Sequence, residues 1–263
     1  MQIPIFQIDA FTRRRFHGNP AAVCVLENWL DDTTLQHIAS ENNLSETAFL
    51  LEDGELFHLR WFTPATEVDL CGHATLASAF VVSRYLRNNS DPIHFETRSG
   101  GLSVNIEGNA IRMDFPARKS QSSPFDREAF EVMLGSAPES LYRSRDDWMA
   151  VYADAGTIQA MTPKLAAIAA LPCRGLIVTA PGEKNVDFES RFFAPRVGVP
   201  EDPVTGSAHC VLVPYWHKQT GKNQFRAYQC SPRGGELRCE YRKDRVVLSG
   251  NAVFVMSGSI TID

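Results

Sequence analysis

The chain contains an internal repeat, which restricts its possible folds more than any other feature. Four short blocks of the first half recur in the same order in the second half. They are residues 35–39 with 165–169, 60–64 with 191–195, 71–74 with 205–208, and 98–101 with 232–235. The second pair reads RWFTP and RFFAP, and the third reads CGHA and TGSA. Coincidence of common residue types is the alternative, but four blocks in one order favour two copies of one ancestral unit.

Two copies of one unit predict two similar lobes. We assign residues 1–116 to an N-terminal lobe and 117–263 to a C-terminal lobe, with the final strand, 252–263, able to join the first. The boundary falls at the polar, serine-rich segment 117–124, which ends at a proline and is typical of a linker. Since a cleft between lobes is a common place for a ligand, we expect the active site there.

Strand patterns outnumber helical patterns in both halves. An alternating, apolar-rich pattern predicts a strand at 3–11, and further strand patterns lie at 21–26, 46–51, 56–63 and 252–262, with hairpins at 101–115 and 237–249. Helical spacing predicts an amphipathic helix over 31–41 and apolar helices over 74–86 and 208–217, the last kinked or ended by Pro214. An apolar helix suits the inside of a curved sheet. We therefore predict an α+β fold in which each lobe is a curved mixed sheet wrapped around a central apolar helix.

Composition excludes several classes of protein. The net charge is −5, which does not favour binding to nucleic acid or to an anionic membrane. The apolar runs are far shorter than the roughly 18 residues that cross a bilayer, and no signal-peptide pattern opens the chain. Six cysteines without a CxxC pair are typical of free thiols in a reducing compartment. We expect a soluble, cytoplasmic protein that acts on a small molecule.

Both apolar helices begin at a glycine, Gly72 and Gly206, at equivalent positions of the repeat. The first amides of a helix are unpaired donors at the positive end of its dipole, so two such starts at one cleft would bind a carboxylate or phosphate. The alternative is that these glycines only permit tight turns and close packing. The pairing of the two positions favours an anion site.

Groups that can carry a proton cluster around these two turns. They are Asp69, Cys71, His73, Asp202, Ser207 and His209, together with Glu46 just before an apolar strand. Each has a structural alternative: Glu46 at a strand edge, His73 as a capping residue, Cys71 as a packed residue. Ser207 lacks the Gly-x-Ser-x-Gly elbow of hydrolases, and Cys71 with His73 does not complete a zinc ligand set.

No P-loop and no Gly-x-Gly-x-x-Gly occurs, so nucleotide binding by those routes has no support. The run Arg13-Arg14-Arg15 is interpreted as a solvated loop, with contact to an anion as the alternative.

Taken together, the motifs resemble the phenazine-biosynthesis PhzF-like isomerase/epimerase family, which is related to diaminopimelate epimerase. The matching segments are residues 9–12, 16–23, 45–49, 62–64, 67–75 and 201–208, with CGHAT and DPVTGSA the most specific. The resemblance implies two similar lobes with the active site between them, proton transfer without a cofactor or metal, and a homodimer. It implies Glu46 as the general acid/base, with His73, Asp202 and Ser207 at the other active-site positions. Substrate contacts are expected from Asn19, Cys71, Gly72, Ala74, Thr205 and Gly206.

The sequence departs from diaminopimelate epimerases at one position. Those enzymes use two cysteines, one from each lobe, and only Cys71 has a counterpart here, because Cys210 lies several residues beyond the second position. The leading prediction is therefore an isomerase or epimerase that uses Glu46 on a small carboxylate-bearing metabolite. The alternatives are a cysteine-dependent amino-acid racemase using Cys71 and a non-catalytic binder of an anionic metabolite. We expect Glu46 to be partly desolvated, which would favour its protonated form.

Overall fold

Strands dominate the structure, a computed structural model that describes residues 1–87 and 91–263. The fold is mixed α+β, as predicted at this level. The chain divides into two compact units, which are described separately below. Unit 1 comprises Met1–Asp114 with Ser249–Asp263, and unit 2 comprises Phe115–Leu248. None of the helices formed by the described residues is long and apolar enough to span a membrane.

Among the described residues, the first part of unit 1 has eight strands and two α-helices, and the last of these strands runs two residues into unit 2. They are β1 (Gln2–Ala10), β2 (Asn19–Leu26), α1 (Asp32–Asn42), β3 (Glu46–Asp53), β4 (Leu56–Phe62), β5 (Glu67–Val68), α2 (Gly72–Val81), β6 (Ile93–Thr97), β7 (Gly100–Glu107) and β8 (Ala110–Pro116). A π-helical turn, Val82–Leu86, continues α2.

Unit 2 has a similar sequence of elements. They are β9 (Gln121–Ser123), α3 (Arg127–Leu134), β10 (Ser140–Arg143), β11 (Asp147–Val151), α4 (Ala155–Gln159), α5 (Leu165–Ala169), β12 (Gly175–Pro181), β13 (Phe188–Ala194), β14 (Val199–Asp202), α6 (Gly206–Thr220), β15 (Gln224–Gln229) and β16 (Gly235–Arg242). The last strand, β17 (Arg245–Thr261), begins in unit 2 and its later part belongs to unit 1.

Strand pairing in unit 1 closes into a barrel. β2 and β3 are parallel neighbours joined by the α1 crossover, β3 and β4 are antiparallel, and β4 is parallel to β6. The pairing continues through β7 and β8 to β17, which also pairs with β1, and β1 pairs with β2. Closure leaves no long unpaired edge in this series of strands.

The interior of unit 1 is built around α2. Eight of its ten residues are buried, and it packs on β1, β2 and β3. Its buried hydroxyls are satisfied within the helix, since Thr75 Oγ1 donates to the Cys71 carbonyl (2.6 Å) and Ser78 Oγ to the Ala74 carbonyl (2.8 Å). Gly250 of β17 packs against Leu76 of α2 and against the Phe11 ring, and a Cβ at this position would lie only 2.3 Å from that ring. The sequence of α2 is apolar because all its faces meet protein.

Unit 2 repeats this pairing pattern. β11 and β12 are parallel, β12 and β13 are antiparallel, and β13 is parallel to β15, as β2, β3, β4 and β6 are in unit 1. The repeated arginines occupy equivalent places. Arg60 of β4 pairs with Glu67 of β5 (Nε to Oε1, 2.7 Å), and Arg191 of β13 pairs with Glu201 of β14 (2.7 Å).

Three local predictions need correction. Pro214 does not end its helix, because α6 continues to Thr220. Beyond the proline, the Trp216 ring stacks on Phe188 (5.7 Å between centroids), which holds the last turns in place. The segment predicted as a linker contains a short strand, β9, and the predicted final strand is a continuation of β17 rather than a separate element.

Candidate functional site

Three residues predicted for the site meet in unit 1 at the start of α2. Asn19 and Glu46 are the first residues of the neighbouring parallel strands β2 and β3, and His73 lies in the first turn of α2. Asn19 Nδ2 is 3.2 Å from His73 Nδ1, and Glu46 Oε2 is 3.0 Å from His73 Nε2. The imidazole is therefore held between an amide and a carboxylate.

The Glu46–His73 contact is shielded from water. Both atoms of the contact are buried, and neither has a hydrogen-bond partner elsewhere among the described residues. The side chains of His73 and Glu46 are 5% and 16% exposed. A carboxylate and an imidazole in this position compete for one proton, and low dielectric surroundings strengthen their interaction.

The charge state of His73 follows from its neighbours. Burial alone would lower the pKa of this imidazole, but the negative charges that can face it from Cys71 and Glu46 outweigh burial and raise the pKa well above its ordinary value of 6.5. We attribute the rise to Glu46, because burial and the Glu46 charge raise the pKa of the Cys71 thiol and keep it protonated.

Cys71 is the N-cap of α2 and lies beside the same imidazole. Its Sγ is 3.5 Å from His73 Nδ1, and its side chain makes no capping hydrogen bond to the helix start. Gly72 and Ala74 follow in the first turn, so the expected amide donors of this turn lie next to the cluster.

The donor atoms of Glu46, Cys71 and His73 lie within 4.8 Å of one another, and they are of types that zinc binds. A metal there would have to take the proton from Cys71 and intervene between His73 and Glu46. The close contact between His73 and Glu46 fits proton exchange without such a rearrangement.

In unit 2, the predicted residues Asp202, Thr205, Gly206 and Ser207 lie at the start of α6. Thr205 Oγ1 donates to Asp202 Oδ2 (2.5 Å), and Thr205 is the extended N-cap before Gly206. Gln229 fixes this turn, because its Nε2 donates to the Asp202 carbonyl (2.7 Å) and its Oε1 accepts from the Thr205 amide (2.8 Å).

Arg174 is a member of the unit 2 cluster that sequence reasoning missed. Its Nη2 donates to Ser207 Oγ (3.0 Å), and its Nε and Nη2 form a two-point ion pair with Asp147, which is fully buried. Because Arg174 uses a lone pair of the Ser207 oxygen, the hydroxyl hydrogen of Ser207 is directed elsewhere.

The strand pairing of the two repeated arginines shows which residues of the two units occupy equivalent positions. Arg60 pairs with Phe49, three residues after Glu46, and Arg191 pairs with Val178, three residues after Gly175. The position equivalent to Glu46 is therefore Gly175, directly after Arg174. In unit 1 the Glu46 carboxylate contacts His73, whereas in unit 2 the Arg174 guanidinium contacts Ser207, which occupies the equivalent position of its helix. This difference could have been detected only by aligning the strands of the two copies.

His209 lies one turn further along α6, fully buried. Its Nδ1 is 2.8 Å from the Thr205 carbonyl, which fixes that nitrogen as the donor, and the buried Nε2 has no partner among the described residues. Burial lowers the pKa of this imidazole from 6.5 to about 4. The folded protein therefore holds His209 neutral at physiological pH.

The lowered pKa of His209 predicts that the folded protein loses stability in acid. Between pH 6.5 and about 4 the unfolded chain binds a proton at His209 that the folded chain does not, so its contribution to stability is present above pH 6.5 and is lost as the pH falls. We expect the free energy of unfolding to fall by about 3 kcal/mol over this pH range because of His209. Urea unfolding of the protein and of His209→Asn at pH 7 and pH 4.5 measures it. The free energy of unfolding should depend less on pH in His209→Asn than in the unaltered protein. His37→Asn, a control on the exposed face of α1, should show the pH dependence of the unaltered protein. The same pH dependence in all three proteins would contradict the lowered pKa of His209.

The sequence model of the phenazine biosynthesis-like (PhzC-PhzF) family matches residues 8–258. The chain belongs to the phenazine biosynthesis-like family. An uncharacterized isomerase of Pseudomonas aeruginosa is 51% identical over 99% of both chains. The predicted family and the prediction of an isomerase are thus confirmed.

Solved structures agree with this assignment. A PhzF-family protein of Enterococcus faecalis superposes with a TM-score of 0.96 at 44% identity, covering 100% of both chains. A protein of Pseudomonas aeruginosa described as a predicted epimerase superposes with a TM-score of 0.78 at 20% identity over 99% of this chain and 100% of its own, which shows a shared fold. Members of the phenazine biosynthesis-like family therefore share the architecture described above.

Proposed function

We propose that this member of the phenazine biosynthesis-like family moves a carbon-bound proton next to a carboxylate, with Glu46 as general acid/base. The observation that carries the proposal is the shielded contact between Glu46 Oε2 and His73 Nε2, at 3.0 Å. A general base must be close to its proton and must be able to exchange it with a partner. His73 is that partner here.

The proposed step balances without a cofactor or metal. The Glu46 carboxylate takes the proton, and the electron pair of the broken carbon–hydrogen bond enters an enolate-like intermediate of the substrate. Glu46 then exchanges this proton with solvent through His73, and a solvent-derived proton returns to another carbon, which isomerises the substrate. Epimerisation would instead need an acid on the opposite face of the same carbon. Amides of the first turn of α2 are the donors available to the developing negative charge.

We propose that Thr205, Gly206 and Ser207 take part in the same reaction, because they are the repeat counterparts of Cys71, Gly72 and His73. Asp202 is included because it accepts a hydrogen bond from Thr205. Asn19, Cys71, Gly72 and Ala74 remain the expected substrate contacts in unit 1. The two pseudo-symmetric lobes with a cleft, the homodimer and the cytoplasmic location are retained as part of this proposal, on the strength of the family resemblance.

Solvent-deuterium incorporation, followed by mass spectrometry, tests the proposal. The protein is incubated in D₂O with a panel of amino acids, dihydro-hydroxyanthranilate-like acids and other small carboxylates. Uptake of one deuterium at carbon by a panel member, lost in Glu46→Gln, supports proton transfer. Binding of a panel member without uptake would instead favour the non-catalytic binder.

The cysteine-dependent racemase makes a different prediction for Cys71. Because its thiol is buried and its pKa is raised, we expect Cys71→Ser and Cys71→Ala to retain deuterium uptake within about threefold, since neither removes the base. The same exchange assay measures it, with Cys24→Ser as a buried-thiol control for effects on folding. A loss of uptake in Cys71→Ser of a hundredfold or more, with Glu46→Gln still active, would establish the racemase instead.

A further inference from the structure

A cavity in unit 1 lies at the other end of α2 from His73. It has a volume of about 320 Å³, within the range of small-molecule sites. Its walls come from four separate segments: the loop after β1, the end of α2 with its π-helical turn, the β7–β8 turn, and β17. π-helical turns within helices frequently occur at functional sites.

Two arginines line this cavity, and a chain of hydrogen bonds joins them. Arg84 Nη2 donates to Asn109 Oδ1 (3.1 Å). With the Asn251 amide in the orientation its neighbours require, its nitrogen donates to the Asn109 carbonyl (3.1 Å) and its oxygen accepts from Arg13 Nε (3.2 Å). Neutral groups therefore hold both guanidinium groups in place.

The positive charge of this cavity is not compensated. None of the described residues that line it is acidic. Several arginines of unit 1 pair with carboxylates, as Arg87 does with Glu52 and Arg112 with Glu107. Neither Arg13 nor Arg84 has such a pair among the described residues; each is instead hydrogen-bonded to neutral groups. Two unpaired guanidinium groups at one cavity are unexpected in a chain whose net charge is −5. The anion-contact interpretation of the arginine run thus finds a location at Arg13.

We propose that this cavity, which we call the two-arginine pocket, binds a small organic dianion such as a dicarboxylate or a phosphate monoester. The guanidinium groups supply several N–H donors in a geometry suited to carboxylate or phosphate oxygens. Apolar walls from Phe80, Ile111 and Val253 fit a hydrocarbon body rather than an inorganic ion. The ligand class follows from these walls and from the two charges together.

Isothermal titration calorimetry of the full chain tests the proposal, with phthalate, glutarate and phenyl phosphate as dianions. Benzoate and dimethyl phthalate serve as the matched monoanion and neutral compound. We expect one dianion per chain, binding that weakens as NaCl rises, and benzoate at least tenfold weaker than phthalate. The phenyl phosphate and phthalate arms show whether phosphate or carboxylate is preferred.

Variants locate the binding. Arg13→Gln and Arg84→Gln should each weaken dianion binding about tenfold or more, because each removes a charged donor. Both side chains are exposed and lack a carboxylate partner, so the variants should fold normally. Arg14→Gln, the neighbouring exposed arginine, and Glu46→Gln should bind as the unaltered protein does. Unchanged binding in the Arg13→Gln/Arg84→Gln double variant, or no binding of any dianion, would overturn the two-arginine pocket. Neither result depends on the proton-transfer proposal, since no turnover is measured.

Discussion

Glu46→Gln is expected to reduce solvent-deuterium uptake by about 10²- to 10⁴-fold, the range that a positioned general acid/base contributes. Glutamine keeps the size and one acceptor oxygen of the side chain but cannot take the proton. Its amide can still contact His73 Nε2, so the helix start should keep its geometry. The loss should therefore appear in the rate of exchange and not in the affinity for substrate.

The same strand provides a matched control for this prediction. Glu52 also lies on β3, but its side chain is half exposed and pairs with Arg87. Glu52→Gln makes the same chemical change without touching the cluster, and it should retain uptake. Both proteins are assayed after EDTA treatment, which removes any contribution from a bound metal. Uptake by Glu46→Gln at the level of Glu52→Gln would show that Glu46 is not the base.

His73 should then contribute less than Glu46, because it exchanges the proton and does not take it from carbon. The Asn19 contact at Nδ1 and the Glu46 contact at Nε2 fix its ring from both sides. An imidazole so fixed retains a short path for the proton without reorganisation, which is the physical advantage of a preorganised site.

The sequence predicted those features of the fold that depend on local pattern. The apolar, strand-like runs at residues 46–51 and 56–63 place β3 and β4 within two residues of their ends. The repeat matched Arg60 with Arg191, and the structure adds their shared role, because each lies on a strand beside the one that supplies its glutamate partner. The structure begins α2 at Gly72 and α6 at Gly206, the two glycines that the sequence predicts at the helix starts.

Features that depend on distant partners were not predicted. Pro214 removes a helix hydrogen bond, at a cost of about 3 kcal/mol or more, and no local signal shows what offsets it. Eight buried residues of α6 do so, including Trp216, whose indole also donates to Thr179 Oγ1 (3.1 Å). Arg174 was missed for the same reason, because its partners Asp147 and Ser207 are 27 and 33 residues away.

Arg191→Met is expected to lower the free energy of unfolding by about 3–5 kcal/mol, the cost of breaking a buried ion pair from one side. Arg191 is 8% exposed and binds Glu201 through two nitrogens, and its Nη1 donates to the carbonyls of Ile158 (3.0 Å) and Met161 (2.6 Å). Methionine fills a similar volume without any donor. The carboxylate and both carbonyls would then be left without this cation.

The repeat supplies the control for this prediction at Arg60. Its pair with Glu67 has nearly the same geometry, but Arg98 also donates to that carboxylate (Nη1 to Oε2, 2.7 Å). Arg60→Met therefore leaves Glu67 with a cation, and we expect it to cost only about 1–2 kcal/mol. Urea unfolding followed by tryptophan fluorescence measures both, and Arg191→Met/Glu201→Gln should recover part of the loss because no buried charge remains. Equal losses for the two single variants would mean that the unpaired carboxylate is not what makes Arg191 important, and that the ion pair common to both copies sets the cost.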